Sequence, residues 1–363
     1  MKKKKKAAII TIVDMNNYGN RLQNYAACEI LKQMDLEPIT LQMRCCPISK
    51  ISIQRWNNFK EERLPVNNGK LSLTEKRIYN FRKFTKQYIN TKVFFFTKYY
   101  DLNRLSKKYD YFVIGSDQIW NPLLKLARSY DFATFARPEQ KVCMAPSFGT
   151  DVIPENDRKR IAGYLKTMEN IAVREEAGLQ IVKELTGKDA TVMIDPTMLL
   201  SQKKWLKIAK TPKISLNKKY ILTYFLGECS DMNMQEIRRI KEEHHLDEIE
   251  LLNPKFPEAY ISSPDEFLGL IAGADLICTD SFHGCVFSIL FRKPFIAFKR
   301  DGSGAGMSSR LETLLSKFGL SSRYVENIQS GSVFEIDYTQ CFSILEAEKQ
   351  KSQEYLRSVL NNR

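Results

Sequence analysis

The sequence predicts an α/β protein made of two doubly wound domains, each built on a parallel sheet. The chain has 363 residues, which is more than one ordinary core needs. Short continuous apolar runs alternate with longer segments of helical periodicity, as expected for strands that are buried on both faces. The alternation runs in two series, separated by a polar, proline-containing stretch, so we place the domains at residues 1–199 and 200–363.

Each series assigns its elements in order. The first predicts strands within residues 7–13, 38–43, 111–115, 141–149, 170–175 and 190–195, with helices over 22–34 and 175–186. The second predicts strands within residues 219–227, 248–252, 275–280 and 294–298, with helices over 232–245, 264–274, 284–293 and 307–319. Residues 341–363 read as an amphipathic helix that packs on one of the domains.

Composition places the protein in the soluble globular class. Hydrophobic residues make up 43% of the chain and charged residues 27%, which excludes a disordered chain. The basic start resembles a signal peptide, but its apolar run is short and ends at Asp14, so we interpret it as a solvated lysine tail before a buried strand. No run reaches the roughly 20 apolar residues of a spanning helix. Eight cysteines without a CxxC pair indicate reduced core residues in a cytoplasmic protein.

The formal charge of +14 needs an explanation. Residues 76–100 interleave basic and aromatic residues, which predicts an amphipathic helix with aromatic side chains in the core and lysines near solvent or an anionic membrane. Nucleic-acid binding is the alternative outside the enzymes. The spread of basic residues over both halves and the lack of a known recognition motif argue against it.

Polar side chains crowd the turn after the first predicted strand. Asn17, Gly19, Asn20, Arg21 and Gln23 lie there, at the edge of the sheet where parallel folds bind ligands. A turn and a helix cap account for the asparagines and the glycine. Arg21 and Gln23 remain unexplained by that reading, and they predict contact with a polar or anionic ligand.

A second strand ends in the same manner. Ser116, Asp117, Gln118 and Trp120 follow the strand within residues 111–115. One of the first two could be an ordinary N-cap, but an acid, an amide and an indole together favour a binding role. Arg174 directly follows another apolar strand, where an ion pair with a local acid is the alternative to ligand binding.

His283 is the clearest candidate for chemistry. The other two histidines lie in a charged helical face, whereas His283 follows a buried strand and begins an apolar helix. An imidazole there can exchange a proton near neutral pH or bind a phosphate. Asp280 and Ser281 either orient it or cap the helix.

A glycine-rich loop precedes the last predicted helix of the second series. The cations Lys299 and Arg300 come before it, and Ser308, Ser309 and Arg310 begin the helix. Backbone N–H groups, hydroxyls and cations together are typical of a phosphate site, although a flexible loop with a serine cap is the simpler reading. The loop matches neither the P-loop nor the dinucleotide fingerprint, which excludes the standard forms of those sites.

Taken together, these segments resemble the polysaccharide pyruvyl transferase family. The resemblance runs from residue 9 to about residue 320 and rests on the segments NNYGNRLQNYA, YDYFVIGSDQIWN, APSFG, VREEAG, IDPTMLL, DSFHG and GMSSR in that order. It implies a GT-B-like pair of Rossmann-like domains facing across a cleft, without a metal. It also implies transfer of pyruvate from phosphoenolpyruvate to a sugar hydroxyl pair as a ketal, in cell-surface polysaccharide synthesis, with no cofactor.

The resemblance assigns roles to the candidate residues. The N-terminal side of the cleft would receive a lipid-linked or nucleotide-linked sugar, and the C-terminal side the donor phosphate, with His283 as acid or phosphate ligand. An Arg-Leu-His triplet of the family reads Ser281-Phe282-His283 here, so a replacement cation is expected from Arg310, Arg300 or Arg174. The alternative reaction is glycosyl transfer from a nucleotide sugar. We expect a cytoplasmic protein, with peripheral contact at the inner membrane face as an open alternative.

Overall fold

The computed structural model describes residues 4–45, 71–96, 102–124, 126–211, 214, 219–300, 308–328 and 333–361. These ranges hold the strands β1 (Lys5–Ile10), β2 (Leu36–Cys45), β3 (Thr91–Phe96), β4 (Tyr111–Ile114), β5 (Lys141–Cys143), β6 (Ala172–Val173), β7 (Thr191–Val192), β8 (Tyr220–Tyr224), β9 (Asp247–Glu250), β10 (Leu276–Thr279) and β11 (Phe295–Ala297). They also hold the helices α1 (Tyr18–Gln33), α2 (Leu73–Tyr88), α3 (Asn103–Ser106), α4 (Glu155–Lys166), α5 (Glu176–Thr186), α6 (Pro196–Leu199), α7 (Gln202–Ile208), α8 (Asp231–Glu243), α9 (Pro257–Tyr260), α10 (Pro264–Gly273), α11 (Phe282–Leu290), α12 (Ser308–Lys317) and α13 (Thr339–Asn361).

The strands form two main parallel sheets, which confirms the predicted α/β class. The first sheet has the order β3-β2-β1-β4-β5 and the second the order β11-β10-β8-β9. A separate parallel pair joins β6 to β7. Strand order reverses beside β1 in the first sheet and beside β8 in the second, which opens a crevice at the carboxyl ends of these strands. The domain boundary near residue 200 stays a prediction.

Local sequence explains how the helices at these crevices begin. Asn17 caps α1 by accepting a hydrogen bond from the Asn20 backbone N–H. Ser281 caps α11 in the same way through the Gly284 N–H. Each cap fixes the point at which the chain turns from a strand into a helix, so the polar residues of the turn stand at the sheet edge.

Aromatic packing joins the two sheets. Tyr18 of α1 stacks on Phe267 of α10 with ring centroids 4.5 Å apart, and it meets the edge of Tyr224 at the end of β8. Arg77 of α2 lies over the Tyr18 ring at 4.4 Å. Its guanidinium donates hydrogen bonds to the Tyr18 hydroxyl (2.5 Å) and to the Tyr260 carbonyl (2.6 Å), so this one side chain connects both halves.

The last helix returns to the first half of the chain. The Tyr111 hydroxyl, at the start of β4, donates a 2.8 Å hydrogen bond to the Leu360 carbonyl near the end of α13. Leu345, Leu356 and Leu360 of this helix belong to the same core as β1. The C-terminal part of this helix therefore covers the first sheet, while its N-terminal part contacts the second half, where Arg292 lies over the Phe342 ring and Lys317 pairs with Glu348. The helix that was predicted to pack on one domain thus contacts both halves of the chain.

The prediction of one helix over residues 76–100 is wrong. Helix α2 ends at Tyr88, and Thr91–Phe96 forms the edge strand β3, paired in parallel with β2. β-branched and aromatic side chains favour the extended form once β2 offers an edge. Phe81 and Phe84 of α2 are buried while Lys76 and Lys83 are exposed, so the two phenylalanines are core as predicted. Tyr79 and Tyr88 of the same helix are half-buried. Residues 97–100 lie outside the described residues.

Two further predictions concern the start of the chain and the cysteines. β1 begins at Lys5, so the lysine tail is shorter than predicted, and residues 1–3 lie outside the described ranges. Five described cysteines are buried and unbridged: Cys28, Cys143, Cys278, Cys285 and Cys341. None of the helices in the described ranges has the length and apolar composition needed to cross a bilayer.

Replacing Arg77 tests the junction between the sheets. Arg77→Met leaves the Tyr260 carbonyl and the Tyr18 hydroxyl without their donor, so we expect the free energy of unfolding to fall by about 2–4 kcal/mol. Urea titration followed by tryptophan fluorescence measures it. Lys76→Met, at the neighbouring exposed position, is the matched control. Equal stability of the two variants would contradict the role given to Arg77.

Candidate active site

Loops at the carboxyl ends of five strands meet between the two sheets. They follow β1, β4, β6, β7 and β10, and the first turn of α12 joins them. Each loop contributes polar or charged side chains, most of them buried. The convergence places residues from both halves of the chain in one cluster, which we call the junction site: Gly19, Asn20, Ser116, Asp117, Arg174, Glu175, Asp195, His283 and Arg310.

His283 packs directly on Gly19. A Cβ atom built on Gly19 would lie 2.0 Å from His283 Nδ1 and 2.3 Å from Cγ, so only glycine fits there. The side chain of His283 is 8% exposed. Its Nε2 stands 3.7 Å from Asp195 Oδ2, and none of the described residues makes a hydrogen bond to it. The ring therefore has a buried nitrogen without a hydrogen-bond partner, which a ligand can reach only if neighbouring side chains move.

Asp195 is the most densely bonded acid of the junction site. Its Oδ2 accepts hydrogen bonds from Ser116 Oγ (2.7 Å) and Arg174 Nη1 (2.9 Å). Its Oδ1 accepts from the Thr197 N–H (2.9 Å) and hydroxyl (2.7 Å) at the start of α6. Asp195 thus fixes the loops that follow β4, β6 and β7 relative to one another.

Asp117 stands between the cations of the two halves. Its Oδ1 lies 4.0 Å from Arg174 Nη2 and 4.0 Å from Arg310 Nη1. Asn20 Nδ2 donates a 2.9 Å hydrogen bond to its Oδ2. The backbone of Asp117 has φ = 69°, a left-handed conformation that is strained for a residue with a Cβ and is common at functional sites.

The two guanidinium groups retain unused donors. Among the described residues, Arg174 Nε, Arg174 Nη2 and Arg310 Nε are buried without a hydrogen-bond partner. The Arg174 guanidinium lies over the Phe282 ring, 4.7 Å from the ring centroid. Buried donors without partners are costly, so their presence in one cluster indicates a place for an anionic or polar ligand.

Charge coupling sets the pKa values of the junction site. Burial acts to raise the pKa of Asp117, but Arg174, His283 and Arg310 outweigh it, and the pKa lies below its usual value. Burial likewise opposes ionisation of Asp195, while His283 and Arg174 hold its pKa well below the usual range. Burial, aided by repulsion from Arg174, lowers the pKa of Arg310 to about 10, so its guanidinium stays charged at neutral pH.

Some of the predicted residues of the first turn lie in the junction site, and the others make hydrogen bonds within the first half of the chain. Gly19 and Asn20 reach the junction site, whereas Asn17 caps α1. Arg21 is fully buried, and its guanidinium donates to the Ile12 carbonyl, to Asn20 Oδ1 and to Asn24 Oδ1. Gln23 is also buried and donates to Thr11 Oγ1. Arg21 and Gln23 therefore brace the turn from inside the first half.

The second predicted loop divides similarly. Ser116 and Asp117 belong to the junction site. Gln118 packs against Gly149, where a Cβ would lie 2.2 Å from its Oε1. Trp120 is fully buried, stacks on Phe132 with centroids 4.7 Å apart and donates to the Asp131 carbonyl. The indole is thus part of the core.

Only part of the predicted phosphate loop reaches the junction site. Arg310 and Arg174 lie there, while Lys299 pairs with Glu326 (2.5 Å) and Arg300 with Asp280 (2.9 Å). Ser281 caps α11. Residues 301–307 and the side chains of Ser308 and Ser309 lie outside the described part of the chain.

Sequence reasoning gave no role to two acids of the cluster, Asp195 and Glu175. Glu175 accepts hydrogen bonds from Ser147 Oγ (2.8 Å) and from the Phe148 N–H (3.0 Å), and its second oxygen lies 3.8 Å from Arg174 Nε. Glu175 lies two residues after β6 and Asp195 three residues after β7, at the sheet edge where parallel folds bind ligands. Their position just after short apolar runs could have marked both acids as candidate site residues.

The coupling of Asp195 predicts a pH effect on stability. A carboxylate whose folded pKa is depressed stabilises the protein above its unfolded pKa of about 4, and this contribution is lost as the pH falls through the folded value. We expect Asp195→Asn to cost about 3 kcal/mol at pH 7 and to flatten the acid side of the stability profile. Denaturation at several pH values measures both, with exposed Asp151→Asn as control. A wild-type slope in Asp195→Asn would contradict the coupling.

Comparison with known proteins identifies the family. Residues 17–302 match the family model of polysaccharide pyruvyl transferase. No curated protein matches the chain. Similar solved structures include the UDP-GlcNAc 2-epimerase of Neisseria meningitidis bound to UDP-GlcNAc (11% identity, 99% of this chain, 100% of that chain, TM-score 0.48). Another is the UDP-GlcNAc 2-epimerase of Methanocaldococcus jannaschii (13% identity, 99% of this chain, 100% of that chain, TM-score 0.47). The family match covers most of the chain, and the chain therefore belongs to the polysaccharide pyruvyl transferase family.

Proposed function

We propose that the protein transfers pyruvate from phosphoenolpyruvate to a pair of sugar hydroxyls, forming a ketal during polysaccharide synthesis. Membership of the family supports a polysaccharide-modifying transferase. The observation that carries the finer proposal is the set of unused buried donors on Arg174 and Arg310 beside His283. Phosphoenolpyruvate presents a phosphate and a carboxylate, the two groups that guanidinium forks bind best.

The acids of the junction site do not cancel this capacity. Asp195 takes one donor from Arg174 and three from Ser116 and Thr197. Glu175 Oε1 is bonded to Ser147 and to the Phe148 N–H, whereas its buried Oε2 lies 3.8 Å from Arg174 Nε and makes no hydrogen bond. Arg174 Nε, Arg174 Nη2 and Arg310 Nε therefore stay without a partner among the described residues. Asp117 lies 4.0 Å from both guanidinium groups, too far for a hydrogen bond. An incoming anion would therefore gain hydrogen bonds that the protein leaves unmade.

Ligand entry needs a local movement. The cavity beside Arg174 and Arg310 measures about 20 Å³, which is room for about one water. Asp195, Phe282 and Met198 also line it. A phosphate would fit only if these side chains move apart, so we propose that the donor opens the junction site as it binds.

The transfer balances without redox chemistry. One acceptor hydroxyl adds to C2 of phosphoenolpyruvate while a proton from His283 reaches C3, which turns the methylene into a methyl group. The proton of this hydroxyl passes to the phosphate, which leaves C2 as hydrogen phosphate. The second hydroxyl adds to C2 and closes the ketal, and its proton passes to His283, which restores the acid. Arg174 and Arg310 stabilise the phosphate charge as the C–O bond breaks.

Asp117 and Asn20 supply the acceptor side of this scheme. The Asp117 carboxylate, ionised because of its cationic neighbours, can accept a hydrogen bond from a sugar hydroxyl. The acceptor is a lipid-linked or nucleotide-linked sugar. The reaction needs no cofactor and no metal, and we place the protein in the cytoplasm, with anionic lipid at the inner membrane face as a second contact. These assignments are parts of the proposal.

Ligand-induced stabilisation tests the donor. A ligand that binds only the folded state raises its stability by about 2.7 kcal/mol at 100 times its Kd. We expect phosphoenolpyruvate to raise the Tm of the wild type and to have no effect on His283→Ala. The exposed histidine variant His244→Ala should respond like the wild type. Incubation with an acceptor should release inorganic phosphate.

Two outcomes would oppose the donor assignment. A Tm increase with a sugar nucleotide alone, without any response to phosphoenolpyruvate, would favour glycosyl transfer. A wild-type response in both His283→Ala and His283→Gln would remove the imidazole from the donor site. The glutamine variant retains a polar side chain of similar size, so it separates loss of packing from loss of the imidazole.

A substitution at Gly19 tests the geometry of His283. In Gly19→Ala the new methyl group would overlap the imidazole, so the ring must move, and a displacement of about 1 Å can cost roughly 10²-fold in rate. We expect phosphate release to fall by about that factor while the protein stays folded. Gly163→Ala is the matched control, because a Cβ there meets no atom within 4 Å. Full activity in Gly19→Ala would contradict the packing.

A further inference from the structure

A second cavity lies outside the junction site. It measures about 340 Å³ and opens at the carboxyl ends of β8 and β9, and we call it the β8–β9 cavity. This volume is within the range of about 300–1,000 Å³ that small-molecule pockets occupy. Its polar lining includes Thr223, Glu248, Glu250 and Asn253. Phe225 and Leu252 add apolar surface.

The two carboxylates that line this cavity differ in their ion pairs and hydrogen bonds. Glu248 Oε2 pairs with Lys241 at 3.1 Å. Glu250 Oε2 accepts a 2.7 Å hydrogen bond from Asn253 Nδ2, and within the described ranges its Oε1 makes no hydrogen bond. Glu250 ends β9, the second strand of a βαβ unit. In dinucleotide-binding βαβ units an acid at this point accepts hydrogen bonds from the hydroxyls of a ribose. The loop after β8 lacks the glycine fingerprint of those units, so Glu250 shares their position at the end of the second strand and not their phosphate loop.

Arg300 connects the β8–β9 cavity to the junction site. The Gly227 backbone lines the cavity, and a Cβ built on it would lie 3.7 Å from the Arg300 side chain. Asp280 Oδ2 holds both, through the Gly227 N–H (2.8 Å) and Arg300 Nε (2.9 Å). Arg300 and Arg310 then line one small cavity, and Arg310 reaches Asp117.

The residues that lead from the β8–β9 cavity to the junction site change in chemistry in order. The cavity has acceptors for hydroxyls and an apolar surface for a ring, the cation Arg300 comes next, and the acid and amide of the acceptor side, Asp117 and Asn20, come last. The cavity between Arg300 and Arg310 measures about 10 Å³, so a ligand can span these residues only if they move apart. A nucleoside, a diphosphate and a sugar follow one another in the same order. A lipid chain does not fit the first part, because two carboxylates line it.

We propose that the acceptor sugar is carried on a nucleoside diphosphate, with the nucleoside in the β8–β9 cavity, its ribose on Glu250 and its diphosphate beside Arg300. This inference rests on the proposed function, since it takes the sugar end of the ligand to be the acceptor. It narrows the acceptor from a lipid-linked or nucleotide-linked sugar to a nucleotide-linked sugar. It also gives a role to Glu250, which lies outside the junction site.

Binding of nucleotides without the donor tests the inference. The probes are UDP, GDP, CDP and ADP, added singly to the full chain and measured by calorimetry. We expect at least one to bind the wild type and to bind Glu250→Gln at least about tenfold more weakly. Asp247→Asn is the matched control, since it removes the same charge from an exposed residue of β9 that does not line the cavity. Equal weakening in both variants would overturn the assignment of Glu250.

Alkylation of Cys229 gives a readout that needs no variant. This half-buried thiol lines the β8–β9 cavity, whereas the cysteines at 28, 143, 278, 285 and 341 are buried. Peptide mass spectrometry with iodoacetamide should show slower labelling of Cys229 when the bound nucleoside diphosphate is present. Unchanged labelling at a saturating concentration would place the nucleotide elsewhere and overturn the inference.

The two proposals fail in different ways. If phosphoenolpyruvate raises the Tm while no nucleoside diphosphate binds, the donor assignment stands and the nucleotide carrier is wrong. If a nucleoside diphosphate binds and protects Cys229 while phosphoenolpyruvate has no effect, the cavity assignment stands and the donor is wrong. Binding of a diphosphate-linked isoprenoid sugar, with no binding of the nucleotides, would replace the nucleotide by a lipid carrier.

Discussion

The contact between the His283 imidazole and the backbone of Gly19 is the constraint on which the junction site depends. Because position 19 carries no side chain, the first turn of α11 can approach the first turn of α1 closely. The carboxyl ends of two separate sheets thereby meet at one point. Loops that follow strands in both halves then fall within reach of each other, although they are distant in sequence.

Because water is excluded from this contact, the buried acids and guanidinium groups of the junction site need hydrogen-bond partners from the protein. A buried acid needs several donors, and Asp195 obtains them from a serine, a threonine backbone and an arginine that lie on three different loops. The same requirement applies to the guanidinium groups, and it is only partly met. Asp195 is therefore fully hydrogen-bonded, while Arg174 and Arg310 keep donors for a ligand. Preorganised donors of this kind stabilise developing charge without reorganisation.

Patterns within single segments predicted much of the fold but only part of the site. Continuous apolar runs located β1, β4, β8 and β10, and the isolation of His283 among the histidines marked its importance. The edge strand β3 was missed because pairing with β2, a contact far along the sequence, decides its conformation. Polarity alone also does not tell which face of α1 meets the sheet, so Arg21 turned out to brace its own turn. Asp195 has hydrogen-bond partners up to 79 residues away, a set that no local pattern contains.

The return of α13 to the first sheet has a consequence for synthesis. Tyr111 and Leu360 are 249 residues apart, yet their hydrogen bond closes the covering of the first sheet. Domains generally fold as units while the ribosome is still extending the chain. Here the first half must wait, with the surface beneath α13 uncovered, until residue 360 has left the exit tunnel. The first half can therefore complete its packing only after the second half has been synthesised.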